Sequence, residues 1–255
     1  MLSTIFRLVL LAFVGLTFAA SAGAEEFRIE TRVFAGDASE PASESVTLFQ
    51  EDVVYDFLTG SSQVAIFRRP LGDAPGRFIL LDREREIRTE ITTDRIATVM
   101  GKLRDWASKQ DDAYLKFAAD PRFEETFNEA TGELLLESPL QSYRLTTSPI
   151  EKSSAQTQLQ DFLNWYTQLN ALIHGGPPPF PRLAVNAALA RHAAVPLEVQ
   201  LTTSGDTQNL RSEHLIAWRI SKQDRERIDQ TVNEMSDYEQ VSNAEFHKAD
   251  KTAAK

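Results

Sequence analysis

Four histidines, His174, His192, His214 and His247, are the first residues to weigh for chemistry, and each stands singly, with no second histidine or carboxylate at the helical spacing a metal site needs. His174 precedes Gly175-Gly176, where an imidazolium favours the negative end of a helix dipole, and that role accounts for it. Glu124 and Glu125 are a candidate acid and base, but adjacent residues of a strand face opposite sides of a sheet and cannot flank one bond. The chain has no glycine-rich phosphate loop, no G-x-S-x-G elbow and no calcium loop. It has no cysteine, which removes disulfides, thiolate metal sites, a thiol nucleophile and a lipidated cysteine anchor. The residues therefore point to no catalytic group, no metal and no cofactor, and a non-enzyme is expected. What remains is a set of aromatic residues, Tyr55, Phe57, Phe67, Phe78, Tyr143 and Trp218, all in runs that read as strands. On a curved sheet only partly covered by helices, such side chains line an apolar pocket of the kind that holds a lipid tail. Tyr55, Phe57, Phe78, Tyr143 and Trp218 are the expected ligand-binding residues; the bland alternative is that they form the core.

The elements that must position them begin with six short runs rich in Val, Ile, Phe and Tyr: 27–34, 45–50, 53–58, 63–68, 77–81 and 86–92. Turn chemistry separates them, with a possible two-residue hairpin at Glu51-Asp52, a flexible turn at 59–62 and strong breakers from Pro70 to Gly76. Alternation places Val46 with Leu48, Val53 with Tyr55 and Phe57, Val64 with Ile66, and Ile87 with Ile91 on common sheet faces. Phe78 to Leu81 is apolar on both sides, so something must cover each face there. A helix is expected from Thr93 or Asp94 to about Ser108, with Ile96, Val99, Met100, Leu103 and Trp106 as its stripe, and a shorter one over 111–119, ended by Asp120-Pro121. Three strands follow, at 123–127, 133–138 and 142–147. The strongest helical pattern begins at Ser153 or Ser154 and carries Leu159, Phe162, Leu163, Tyr166, Leu169 and Ile173. Gly175-Gly176 stops it, and the run from Pro177 to Pro181 is a stiff connector to a short helix over 182–192. Strands at 197–203 and 210–220 and a charged helix over 222–236 complete the ordered part, and 237–255 reads as a polar, disordered, solvated tail.

Residues 1–24 read as an export signal: Arg7, an apolar run from Leu8 to Phe18, and the small residues Ala22, Gly23 and Ala24 before Glu25. The apolar run falls short of the ~20 residues a bilayer requires, so a cleaved leader rather than a transmembrane anchor is expected, with the mature chain periplasmic or extracellular. The net charge is −10, and the basic residues are interleaved with acids rather than clustered, which disfavours polyanionic partners such as nucleic acid and anionic lipid. The alternating run Asp82-Arg83-Glu84-Arg85-Glu86 offsets its own charges and suits a hairpin edge.

The order of elements, a long antiparallel meander, inserted helices, more strands and a terminal helix, resembles the LolA-like lipoprotein-carrier superfamily. The strand cadence is also similar, in Val53-Val54-Tyr55-Asp56-Phe57, Arg77-Phe78-Ile79-Leu80-Leu81-Asp82 and Ile87-Arg88-Thr89-Glu90-Ile91. The chain also looks like an uncharacterised group of exported bacterial proteins. The LolA-like resemblance covers about residues 27–150 and implies a half-barrel around a greasy cavity under a helical lid. No position matches the arginine that locks the lid of those carriers, and the helices between 153 and 192 have no counterpart in them. The expected architecture is thus α+β, a curved antiparallel sheet packed on several amphipathic helices, in a single domain over 25–236. The expected function is non-catalytic binding of a hydrophobic small molecule or lipid in a cavity between sheet and helices. The alternative is an envelope scaffold or protein-interaction module with a filled core.

Overall fold

The computed structural model describes residues 25–205 and 209–248, so the expected leader, residues 1–24, and the end of the polar tail lie outside the described residues. Two antiparallel meanders of six and five strands, edged by the short strand β12 (Glu239–Gln240), build one open sheet of twelve strands among the described residues. The first runs through β1 (Phe27–Ala35), β2 (Ser43–Gln50), β3 (Val53–Leu58), β4 (Gln63–Arg68), β5 (Arg77–Asp82) and β6 (Ile87–Thr92). After α1 (Thr93–Ser108) and α2 (Ala113–Ala119), the second runs through β7 (Glu124–Asn128), β8 (Glu133–Glu137), β9 (Gln141–Pro149), β10 (Ala194–Thr203) and β11 (Leu210–Ala217). Between the neighbouring strands β9 and β10 the chain leaves the sheet to form α3 (Ser153–His174) and α4 (Phe180–Arg191). The meanders join where β1 pairs antiparallel with β11, giving the order β12-β6-β5-β4-β3-β2-β1-β11-β10-β9-β8-β7. All pairings are antiparallel except that of β12 (Glu239–Gln240) with β6.

Both faces of the first meander are covered. Phe27, Phe49, Val54, Phe67, Phe78, Leu80 and Ile91 pack under α1 and α3, whereas Leu48, Tyr55, Phe57, Ile66, Ile79 and Leu81 pack under α5 (Lys222–Asp237) through Ile228. Phe78 to Leu81 is accordingly buried throughout, as its two-sided apolar character requires, although β5 lies near one end of the sheet. A third cluster joins β8, β9 and β10 to α4 through Leu134, Leu136, Leu145, Val199, Val185 and Leu189. Register runs unbroken from β3 through β2, β1 and β11 to β10, and on to β9 for Glu198 to Thr203, beyond the bulge at Pro196–Glu198, so the first and third clusters share one face of the sheet, here called the helical face.

Local chemistry accounts for the helix boundaries. Thr92 caps α1 by accepting from the Arg95 amide, and Ser221 and Asp224 form a reciprocal capping box on α5. Helix α3 stops at Gly175, whose φ of 71° is open to glycine at little cost. On α1 the buried stripe is Ile96, Met100 and Ala107, and Trp106 is half-exposed, contrary to the expected stripe. Eleven residues make about three full turns, so Ala107 returns under Ile96 whereas Trp106 falls about 80° short. Helix α3 is held over the sheet by Phe162, whose ring meets Phe49 at 5.6 Å and Tyr166 at 4.9 Å. Gln158 adds a bond from Nε2 to the Glu51 carbonyl in the β2–β3 turn, and Arg69 donates to Asp161 from Nε at 3.0 Å and Nη2 at 2.7 Å.

The segment after Asp237 departs from the expected disordered tail. The Glu239 and Val241 amides donate to the Glu86 and Arg88 carbonyls at 3.0 and 2.8 Å, making β12 a parallel strand on β6. Helix α6 (Asn243–Phe246) then tucks Phe246, 1% exposed, into the core of the helical face, while Arg85 Nη2 donates to the Phe246 carbonyl at 2.8 Å. One aromatic residue in a polar stretch outweighs the composition around it, because a buried ring contributes ~2–3 kcal/mol of transfer free energy. Replacing it should therefore unfold the molecule more easily: Phe246→Ala is expected to cost about 3–5 kcal/mol in chemical denaturation. Leu71→Ala, at a side chain 76% exposed, is expected to stay within ~0.5 kcal/mol. Equal midpoints for the two variants would mean that the segment does not dock.

Candidate functional site

Strand register assembles the site. On β1, Phe27, Ile29, Thr31 and Val33 alternate onto the helical face. Directly opposite residues of an antiparallel pair share a face, so three rows cross the middle of the sheet: Asp56, Thr47 and Ile29; then Ser45, Thr31 and His214; then Val33 and Ser212. A seam of short hydroxyls, one carboxyl and one imidazole thus lies between the two apolar clusters of this face. Above it α3 supplies Leu159, Phe162, Leu163 and Tyr166, and α4 supplies Arg182. The short seam side chains leave a cavity of about 140 Å³ walled by Ile29, Phe49, Leu159, Phe162, Leu163 and Val195, with Asp56, Arg182 and His214 also on its lining. Two neighbouring spaces share part of its lining, one of about 320 Å³ along Val33, Tyr143, Val199 and Ser212, and one of about 360 Å³ along Tyr114, Tyr143 and the prolines 177–179.

Three polar groups on this lining have distinct electrostatics. Asp56, 4% exposed, accepts from Thr47 Oγ1 and Tyr166 Oη, both at 2.6 Å. Burial pushes its carboxyl above the usual carboxylate range, against the two hydroxyl bonds, and burial together with Asp56 pushes the Tyr166 phenol well up. His214 is bracketed by hydroxyls, Thr31 Oγ1 at 3.0 Å from Nδ1 and Ser212 Oγ at 3.0 Å from Nε2. Burial, and after it the charge of Arg182, pushes its pKa from 6.5 down to about 4. Arg182 is held below its ordinary value by burial, which the nearby Tyr143 partly opposes, and burial pushes Tyr143 itself up to about 12. The Arg182 guanidinium has no hydrogen-bond or ion-pair partner among the described residues.

Ser212 and His214 have the spacing of a nucleophile and its base. The third member is a hydroxyl where a carboxylate would stabilise the imidazolium, and Arg182 opposes that imidazolium directly. The arrangement is suited to holding a polar group and poorly suited to activating Ser212. His192 does meet an acid, Glu125 Oε1 at 2.9 Å, but on the surface beside Phe127 and away from the seam. No group of three or more His, Asp or Glu among the described residues is placed to hold a metal ion.

The aromatic residues expected to bind ligand do not converge. Tyr55 and Phe57 lie on the opposite face beneath α5, where the Arg227 guanidinium sits 3.7 Å from the Phe57 ring centroid. Phe78 is sealed in the core between Phe67 and Tyr166, at centroid distances of 4.7 and 6.2 Å. Trp218 is 49% exposed, leaning on Phe27 at 5.4 Å beside a separate space of about 340 Å³ with Glu25 and Lys152. Only Tyr143 of the five lines the spaces along the seam. The reason is that β3 is apolar on both sides, so alternation alone does not say which face looks at the helices. Asp56, Tyr166 and Arg182 were missed. Asp56 had a readable signal, since Val54 and Leu58 flank it at two-residue steps on its own face and would leave it among apolar neighbours.

The chain matches no protein-family model and no curated protein at a significant level, so the functional reading rests on its own residues.

Two titrations follow from this geometry. In the folded protein His214 is expected to titrate near pH 4, which nitrogen-detected NMR of the ring measures, and Arg182→Gln is expected to raise that value by removing a neighbouring charge. A ring titrating near 6.5 would mean it is solvated. Asp56 works with the opposite sign. Its folded pKa is raised, so the stability tied to its neutral form is complete at low pH and is lost as pH rises from the unfolded carboxylate range through the folded value. Asp56→Asn cannot ionise and is expected to gain in Tm over the parent at pH 8 but not at pH 4; an equal change at both pH values would show that the pKa of Asp56 is not raised by folding.

Proposed function

We propose that this protein binds a lipid-like, largely apolar ligand between the sheet and helices α3 and α4, without catalysing a reaction on it. The observation that carries the reading is the apolar cavity at the seam, which shares part of its lining with two larger spaces of about 320 and 360 Å³. A buried apolar cavity of ~150 Å³ takes a benzene-sized guest, and small-molecule sites usually measure ~300–1,000 Å³, so these neighbouring spaces suit an acyl chain better than a whole lipoprotein. The alternative of a scaffold with a filled core predicts side chains in this space. The resemblance to LolA-like carriers implies a half-barrel around a greasy cavity under a helical lid, and that expectation supports the binding reading. The ligand would be met in the periplasm or outside the cell, where the leader-like first 24 residues would direct the chain. No helix among the described residues is long and apolar enough to cross a membrane.

Cavity filling tests the reading. Ser45 is a small, partly buried residue on the cavity wall. In native mass spectrometry and calorimetry the parent is expected to take up one decanol per chain, and Ser45→Phe is expected to weaken that uptake at least 10-fold while remaining folded. Undiminished uptake by a folded Ser45→Phe would place the ligand elsewhere, and no uptake by the parent would return the molecule to the scaffold reading.

A further inference from the structure

Arg182 is the single residue common to the linings of all three spaces. A guanidinium drawn partly out of water is favoured by a carboxylate partner, whose bonds replace the hydration it has lost. Arg182, partly rather than fully buried, has none among the described residues. The acid that shares its cavity, Asp56, is turned to Thr47 and Tyr166 and is held toward its neutral form. Arg182 also lies in the first turn of α4, whose N-cap residue, Pro179, supplies no side-chain cap, so the positive end of the helix adds to the guanidinium charge. Thr31, Ser212 and the neutral His214 ring stand beside it as hydrogen-bonding groups that carry no negative charge. In a chain of net charge −10, the seam is thus a locally cationic place with an apolar chamber on one side.

From this we infer that the ligand is a single-chain amphiphile with an anionic headgroup, received by Arg182 at the α3–α4 seam, while its chain enters the cavity walled by Phe49, Leu159, Phe162 and Val195 and extends along the neighbouring spaces that Arg182 also lines. The inference rests on the binding reading above and specifies the class of ligand. The fork of N–H donors on a guanidinium matches the paired oxygens of a carboxylate or a phosphate, whereas an alcohol presents one oxygen and no charge. The cation therefore discriminates between headgroups on identical chains.

The experiment compares decanoate, decyl phosphate and decanol on the full-length protein at pH 8, where His214 is neutral, by calorimetry and native mass spectrometry. At least one of the two anions is expected to bind 10-fold or more tightly than decanol, and the stronger of the two identifies carboxylate or phosphate as the headgroup. Arg182→Gln is expected to lose at least 10-fold toward that anion while keeping decanol within twofold of the parent, which also shows that its cavity is intact. Arg182→Lys is expected to recover part of the preference as a charge without the fork. Equal affinity of the parent for all three probes, or an unchanged preference in Arg182→Gln, would overturn the role of Arg182 and leave apolar binding standing. Failure of the parent to take up any of the three would overturn the binding reading itself.

Discussion

The backbone ladder between β1 and β11 is the interaction on which the rest depends. It runs from Arg28 opposite Ala217 to Ala35 opposite Leu210 and joins residues that begin and end most of the ordered chain. Without it the molecule would be two meanders, each with an open edge of unpaired amides and carbonyls. With it, twelve strands become one support, and the helices inserted after β6 and β9 find a common face to cover. Closing so long a loop is entropically expensive, and the ladder is sustained by the packing on either side of it. Thr31 and His214 are opposite partners in this ladder, so the centre of the site exists only once two strands 183 residues apart have met.

That centre is polar for a reason that energetics can follow. Large apolar residues lie to either side, under α3 and under α4, and fill the space between sheet and helices. Along the seam the sheet offers Ser45, Thr47, Thr31 and Ser212, which are too short to reach the helical layer. A gap is the outcome, and burying polar groups beside it is tolerated because each is matched: Asp56 with Thr47 and Tyr166, His214 with Thr31 and Ser212. Arg182 breaks this pattern, since no described residue pairs with its guanidinium.

The other face shows how misleading composition can be. Helix α5 reads as a solvated, charged helix, yet Ile228 and Met235 are enough to cap the cluster around Phe57, and its charges are used in pairs, Arg28 with Asp224 at 2.8 Å and Arg83 with Glu234 at 2.8 Å. Charged side chains can lay their aliphatic stems on apolar surface, so a polar sequence does not rule out a covering role. By covering that face, α5 takes Tyr55 and Phe57 out of any ligand site. The same applies to β12 and α6, where a few backbone bonds and one ring order a stretch with an unpromising composition.

Read alone, the sequence determined the elements and their class. Period-two apolar runs, breakers such as Pro70 to Gly76 and the glycines after His174 act within a few residues, so β3 and β4 begin and end where their side chains say, and α3 differs only by its last residue. The need to cover Phe78 to Leu81 on both sides was equally local. Tertiary structure alone decided which face of β3 meets α3, that β1 neighbours β11, and that a proline-stiffened entry to α4 sets Arg182 over the seam. These are outcomes of register and of contacts between residues distant along the chain. A one-residue difference in register would turn Asp56 from the helices to α5 and put Tyr55 in its place, and nothing in the spacing of the strand itself distinguishes the two.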